Sequence, residues 1–409
     1  MDLVYERCCG LDIHKKSVVA CWITPGPDGK PVKEVRTFGT MTDDLLSLSA
    51  WLSEAGVSHV AMESTGVYWK PIWNLLEDDF ELILGNARDI KTVPGKKSDV
   101  RDCEWIADLL RHGLIKASFV PSRDQRELRE LSRYRTSLIQ ERSSEVNRLQ
   151  KTLEGANVKL ASVASDLQGK SARLMLAALV AGTEDAEVLA DLAIGSMKAK
   201  IPELRRALAG RFAPHQRFLL SQQLAHIDSL DANIAAVAAE IEARTRPFAD
   251  QSERLDTIPG VGLITARGLI AEIGTDMTKF GTPKRLASWS KMSPGLNESA
   301  GKRHSGKTGK GNRWLRSLLV EAAHAAGRTK TYLGSQYHRL AARLGKKRAA
   351  VAVGHSILLI AYRILSQPGV DYQDLGPAYF DERDKSRLTH RLVHRLQTLG
   401  YYVDLQPAT

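Results

Sequence analysis

Residues 10–38 read GLDIHKKSVVACWITPGPDGKPVKEVRTF. An apolar run ends in Gly10-Leu11-Asp12, a second strand is expected from Ser17 to Ile23, and after the PGPDGK turn a third is expected from Val32 to Phe38. Spacers this short join antiparallel neighbours, so the three strands form a meander. Downstream the pattern changes. Leu45 to Ala55 repeats its apolar residues at helical spacing, and Val57 to Met62 is a short β-rich run ending at Glu63. A helix is expected after Ser64-Thr65-Gly66, then a strand from Phe80 to Leu84.

Three antiparallel strands followed by alternating helix and strand is the order of the ribonuclease H-like (RuvC-like) fold. Residues 1–118 are therefore expected to form an α/β domain of that class, and the rest of the chain to be mainly α. Residues 119–250 read as a helical, coiled-coil region. Leu128, Leu131, Arg135, Leu138, Arg142, Leu149 and Leu153 fall near heptad spacing, as do Leu220, Leu224, Ile227, Ile234, Val237 and Ile241. The two stripes fit an antiparallel coiled coil or dimer arm, and equally packing within one chain. The Ala- and Leu-rich stretch between them, residues 161–218, is expected to be helical and carries no recognisable chemistry. Residues 251–370 read as a second, mostly helical domain, and 371–409 as a tail.

Charge is unevenly placed along a chain of 409 residues and net charge +11. Between Lys279 and Arg348, 17 Lys and Arg face two acids, Glu298 and Glu321, so that segment carries +15 and the remainder −4. A basic block joined to a slightly acidic remainder marks a polyanion partner, most often nucleic acid. The first residues lack the basic-then-apolar plan of a secretory signal, and no apolar run is expected to cross a bilayer. Cys8, Cys9, Cys21 and Cys103 form no CxxC pair and no ligand cluster with His, which excludes a zinc-finger or disulfide-framework class. A bacterial cytoplasmic, nucleoid-associated location follows as an expectation.

Four acids stand out. Asp12 ends the first strand in GLDIHKKS, Glu63 ends another in MESTGVYW, and Asp99 and Asp102 lie three apart in the helical KKSDVRDCEWIADLL, on one face. Each has a bland reading: Asp99 and Asp102 as a helix cap and its partner, Glu63 as a cap of the following helix. As an ordered set in an α/β frame they read as a site for a hard divalent cation, Mg2+ or Mn2+, serving phosphoryl transfer.

Two further motifs lie in the basic half. LDTIPGVGLITARGL, residues 255–269, reads as a helix-hairpin-helix, with Pro259, Gly260 and Gly262 in the turn and backbone amides free to meet phosphate. After it, Ser293, Ser299 and Ser305 lie among Lys302, Arg303, His304, Lys307, Lys310, Arg313 and Arg316. A serine beside cations can attack a phosphodiester, because the cations stabilise charge developing on the phosphate. The residues alone do not choose among the three serines.

GLDIHKKS, MESTGVYW, KKSDVRDCEWIADLL, IPGVG and LNESAGKRHSGKTGKGNRWLR, in this order, resemble the insertion sequence 110 transposase family, the Piv/MooV group. The resemblance covers nearly the whole chain apart from 161–218. It implies a RuvC-like domain whose Asp-Glu-Asp-Asp tetrad is Asp12, Glu63, Asp99 and Asp102, and a transposase domain whose catalytic serine is Ser299. Many relatives have Gly directly after that serine; here Ala300 precedes Gly301, and Ser305 stands as the rival nucleophile. The resemblance further implies excision and insertion of a mobile element, guided by an element-encoded bridge RNA that pairs with donor and target DNA. It also implies a homo-oligomer (dimer or tetramer) sharing active sites, a 5′-phosphoserine intermediate and a Holliday-junction-like strand exchange. The alternative is a metal-dependent junction nuclease that hydrolyses without a covalent intermediate.

Overall fold

Five strands form one sheet in the order β3-β2-β1-β4-β5: β1 (Cys8–Ile13), β2 (Ser17–Pro25), β3 (Pro31–Gly39), β4 (His59–Glu63) and β5 (Glu81–Gly85). The computed structural model describes residues 3–64, 66–87, 90, 99–295, 297–299, 302–306 and 308–406, with only the backbone for 99–101, 297–299 and 302–305. These fall into two units, Met1–Arg123 and Asp124–Thr409.

In the first unit β1, β2 and β3 pair antiparallel, as the short turns require, while β1, β4 and β5 run parallel. Parallel neighbours need crossovers, and these are α1 (Thr42–Glu54) and α2 (Trp69–Leu76). Successive side chains on a strand point to opposite faces. Cys9, Leu11, Val60 and Met62 pack under α1 and α2 with Leu48, Trp51, Leu52 and Ile72. Cys8, Cys21 and Ala61 face the other way and meet Cys103, Ile106, Ala107 and Leu110 of α3 (Asp99–Arg111). The four cysteines are buried and form no disulfide, and burial pushes the Cys8 thiol up to about 11.

Gly10 decides how closely α3 lies on the sheet. A Cβ there would stand 2.3 Å from both the Cys103 carbonyl oxygen and the Ala107 nitrogen. Only a residue without a side chain lets helix backbone and strand backbone approach so closely.

Among its described residues the second unit is helical apart from one small hairpin. α4 (Arg123–Gly155) and α9 (Pro214–Thr245) run antiparallel within one chain. Their cross-helix polar pairs keep a nearly constant sum of residue numbers, as antiparallel helices require: Glu127 with Arg244, Arg142 with Asp231, Glu145 with His226. Leu149, Leu153, Leu220, Leu224 and Ile227 are buried between them. The Ala- and Leu-rich stretch forms α5 (Leu160–Val163), α6 (Lys170–Ala181), α7 (Ala186–Asp191) and α8 (Ile201–Leu208), and shares that core through Met175, Leu176, Leu189 and Leu204.

Then follow α10 (Ala249–Asp256), α11 (Leu263–Ile273), α12 (Pro283–Trp289), the hairpin β6 (Asn297–Ser299) and β7 (Lys302–Ser305), α13 (Arg313–Ala326), α14 (Tyr332–Leu344), α15 (Lys346–Ser366), α16 (Tyr379–Arg383) and α17 (Lys385–Thr398). One helix bears on the expectation that no apolar run crosses a bilayer. α15 is 21 residues long, and its most apolar 18-residue stretch has mean hydropathy 1.6, enough by length and composition to cross a bilayer. Over half of that stretch is buried inside the unit, however, and Val353, Ile357, Leu358 and Ala361 are part of its core. Scattered Gly, Ser and His had masked the segment in the sequence.

Candidate active site

The sheet register brings the first two acids together. β1 and β4 pair from Cys8 with His59 to Leu11 with Met62, so one further step sets Asp12 beside Glu63. By strand alternation both side chains leave on the α3 face, where Gly10 has let that helix close in. Asp102 rides on the first turn of α3. Asp12 is 18% exposed, and its Oδ2 lies 3.1 Å from Nε2 of His14. Its carboxyl is held above the ordinary range, first by burial and then by the nearby negative charges of Asp102 and Glu63, against the opposing pull of His14. A hard divalent cation would relieve the crowding that holds the Asp12 carboxyl up, so the donor chemistry fits such an ion. Among the described residues no three His, Cys, Asp or Glu form a complete metal-holding group. Asp99 opens α3, but its side chain lies outside the described residues.

In the second unit the basic segment that carries the three serines contains the β6–β7 hairpin. Ser299 pairs with Lys302 at its tip, and Ser305 pairs with Asn297 at its base. The side chains of Ser299, Lys302, Arg303, His304 and Ser305, and the whole of Lys307, lie outside the described residues. The segment is closed by side chains that are described. Arg316 Nη2 donates to the Lys291 carbonyl at 2.9 Å and to the Gly309 carbonyl at 2.7 Å, joining the two flanks of the hairpin. At Gly311 a Cβ would strike the Ser290 carbonyl at 2.2 Å, so chain meets chain there too. Asn312 caps α13, accepting from the backbone N–H groups of Trp314 and Leu315, and donates through Nδ2 to Glu272 Oε2 at 2.5 Å. Glu272 in turn is gripped by Arg133 of α4.

Two family models match the chain. Residues 9–158 fit the DEDD transposase model of the IS110 group, and residues 252–339 fit the transposase model of the IS116/IS110/IS902 family. The chain belongs to the IS110 transposase family. A probable family 20 transposase of Pseudomonas aeruginosa is 27% identical over 316 residues, covering 75% of this chain and 84% of that protein. The transposase for insertion sequence element IS1111A of Coxiella burnetii is 23% identical over 280 residues, covering 67% and 68% respectively. The chain is thus an enzyme that cleaves and rejoins DNA.

The turn of this transposase between α10 and α11 divides its two glycines. Gly260 has φ +86° and is pressed against α13, where a Cβ would lie 2.2 Å from the Ala322 carbonyl oxygen. Gly262 has nothing within 4 Å of a Cβ and heads α11, so the open side of the turn is here. Of the remaining nucleic-acid candidates, Lys310 is exposed and the Arg313 guanidinium sits 4.4 Å from the Trp314 ring. Arg316, read as a nucleic-acid contact, commits one end of its guanidinium to the two carbonyls that close the hairpin segment. The sequence reading missed His14, which stands two residues after Asp12 in the same motif. It also missed Arg133 and Glu272. A lone acid in the apolar run LITARGLIAEI was the available signal, since a buried charge demands a partner.

Proposed function

We propose that this transposase excises and inserts its element with two chemical centres, a carboxylate centre at Asp12, Glu63, Asp99 and Asp102 and a serine centre at Ser299. Residues 1–118 then act as a RuvC-like metal-dependent domain, 119–250 as the helical arm, and 251–370 as the serine-bearing domain with a helix-hairpin-helix. The observation that carries the reading is the β1–β4 register, which sets Asp12 beside Glu63 on the face of the sheet covered by the helix that bears Asp102. The sheet order, three antiparallel strands then two parallel ones, supports the RuvC-like assignment.

The four carboxylates would hold Mg2+ or Mn2+, which when bound supplies Lewis-acid stabilisation to a phosphodiester. His14 keeps Asp12 oriented and partly offsets the repulsion among the acids. Ser299 Oγ loses its proton and bonds to phosphorus, the P–O3′ bond breaks, and the 3′ oxygen leaves as a hydroxyl. A 5′-phosphoserine remains, ready for the reverse step with another strand. Lys302, Arg303 and His304 follow the nucleophile closely enough in sequence to neutralise the phosphate. An element-encoded bridge RNA pairs with donor and target DNA, and protomers of a dimer or tetramer complete one another's sites. The +15 segment supports a polyanion partner of this kind.

The deciding experiment incubates the protein with a nicked suicide duplex carrying an element end and looks for a protein–DNA adduct by mass spectrometry. A 5′-phosphoryl adduct on Ser299 that needs divalent metal is expected. Cleavage with no adduct would replace this reading with the hydrolytic junction nuclease.

A further inference from the structure

We propose that α17 and α14 together form a second surface for the phosphate backbone of duplex DNA, outside the catalytic carboxylate and serine segments. The proposal goes beyond the catalytic reading and rests only on the chain being a DNA-cleaving and rejoining enzyme.

α17 has the sequence KSRLTHRLVHRLQT, with no acid and no buried residue. At about 100° per residue, His390, His394, Arg387, Arg391 and Arg395 occupy one arc, and Leu388, Leu392, Val393 and Leu396 occupy the other. Helices in proteins are stabilised mainly by packing an apolar face. Here Leu392 and Leu396 remain 50% and 41% exposed, so burial explains little of why this helix has this composition. Its basic arc has a defined neighbour. Arg391 lines a cleft of about 800 Å³ that His338, Arg339 and Arg343 of α14 also line. Asp381 is the one acid among the described lining residues. Among the described residues Arg343, Arg387, Arg391 and Arg395 make no ion pair.

Unpaired guanidinia gathered on one surface repel one another, and a polyanion relieves that cost. The arrangement is linear. Arg387 and Arg395 are eight residues apart, about 12 Å along a helix, and Arg343 continues the basic surface across the cleft. A row of cations suits a polymer of phosphates better than one small anion. Duplex DNA is the occupant because the enzyme has to hold both flanks while strands are cut and exchanged, and backbone contacts do this without reading sequence.

The test uses the full chain in chelator, so that no strand is cut, and a labelled random-sequence duplex of about 30 base pairs titrated between about 50 and 200 mM salt. In the triple variant Arg387→Gln, Arg391→Gln, Arg395→Gln, affinity is expected to fall tenfold or more at low salt. The slope of log K against log salt should become shallower by about 0.9 for each phosphate that the variant no longer neutralises. The triple Lys variant, which keeps the charge, should retain the slope and so excludes misfolding as the cause. An unchanged slope and affinity in the Gln variant overturns the proposal. So does a loss confined to a structured RNA probe, or a loss that tracks a fall in oligomeric mass by light scattering. Because the assay contains no cleavage step, its failure leaves the carboxylate and serine reading untouched, and the reverse also holds.

Discussion

Arg133 grips the carboxylate of Glu272 at both oxygens, Nε to Oε1 at 2.8 Å and Nη2 to Oε2 at 2.9 Å, with Glu272 only 1% exposed. The same carboxylate receives Asn312, the residue at which the serine-bearing segment ends and α13 begins. Arg129 completes the network, donating to the Glu272 backbone carbonyl at 2.6 Å. Burial pushes the Arg129 guanidinium down to about 10 even though Glu272 pulls it up, so the site is dry enough to penalise any unpaired charge. A residue of the long helix thus fixes where the hairpin segment returns to the fold.

Glu272→Ala is therefore expected to be among the most destabilising single changes in the second unit. It strands the partly buried Arg129 and Arg133, 14% and 35% exposed. Breaking a fully buried pair costs about 3–5 kcal/mol, and solvent at Arg133 brings the cost towards or below the lower end of that range. Asn312→Ala removes a helix cap, worth about 1 kcal/mol. Its effect on strand cleavage should exceed its effect on stability, because it frees one end of the hairpin segment. Urea unfolding alongside adduct formation measures both. Equal, mild destabilisation by the two variants would show that Glu272 carries no special burden.

Gly10→Ala tests the close approach of strand and helix. The added methyl would collide with backbone atoms of Cys103 and Ala107, which cannot swing aside as side chains do. α3 must shift outward, at about 1–3 kcal/mol for overpacking. Asp99 and Asp102 ride on that helix, so cleavage should fall further than stability and should need more divalent metal to recover. Full activity at the wild-type metal concentration would mean that the helix position is not critical to the site.

The β1–β2–β3 meander was legible because its runs are separated by spacers short enough to permit only antiparallel neighbours. The β1–β4 register could not be read from the sequence, since parallel pairing depends on how α1 packs, and register is what brings Asp12 beside Glu63. The stripes on α4 and α9 announced two helices but not whether they meet within a chain. Their complementary charges, Arg142 with Asp231 and Glu127 with Arg244, become informative only once an antiparallel pairing is drawn. The β6–β7 hairpin escaped notice because Gly, Lys and Ser carry little strand propensity. The Arg316 clamp escaped because an arginine beside Gly and Lys reads as a phosphate contact until its carbonyl partners are seen.

The Asp12 environment gives a pH prediction whose sign is fixed. A carboxyl held above its unfolded value by burial and by Asp102 and Glu63 binds its proton more tightly in the fold. That contribution is fully present at low pH and is lost as pH rises through the folded value. Above that folded value the metal-free protein bears the cost of an ionised Asp12. In chelator, Asp12→Asn should melt above the wild type at pH 7, with the gap closing as pH falls through the carboxylate range. Divalent metal should reverse the order, since an ion at a hundred times its Kd adds about 2.7 kcal/mol to a protein that binds it. Scanning calorimetry from pH 4 to 8, with and without metal, reads both signs, and a metal-free Asp12→Asn protein that melts lower throughout would refute the electrostatic account.

One working active site is expected to draw on two protomers. The carboxylates lie in Met1–Arg123 and the serine hairpin in Asp124–Thr409, two units that each carry half of the proposed chemistry. If protomers share sites, Asp12→Asn protein mixed with Ser299→Ala protein should recover cleavage that neither shows alone. Random mixing into dimers places both defects in one of the two sites of a heterodimer and leaves the other intact. Half of the dimers are then heterodimers, so about a quarter of all sites should work, by the closed symmetry expected of such assemblies. Ser305→Ala serves as the control for the nucleophile, since Ser305 lies at the base of the hairpin and Ser299 at its tip. That variant should still form the adduct. Recovery near a quarter, measured by quantifying adduct after subunit exchange is confirmed by native mass spectrometry, supports the shared site. No recovery in fully exchanged protein would place both halves of the chemistry within one chain, and an adduct mapped to Ser305 would move the nucleophile to the hairpin base while leaving the covalent mechanism in place.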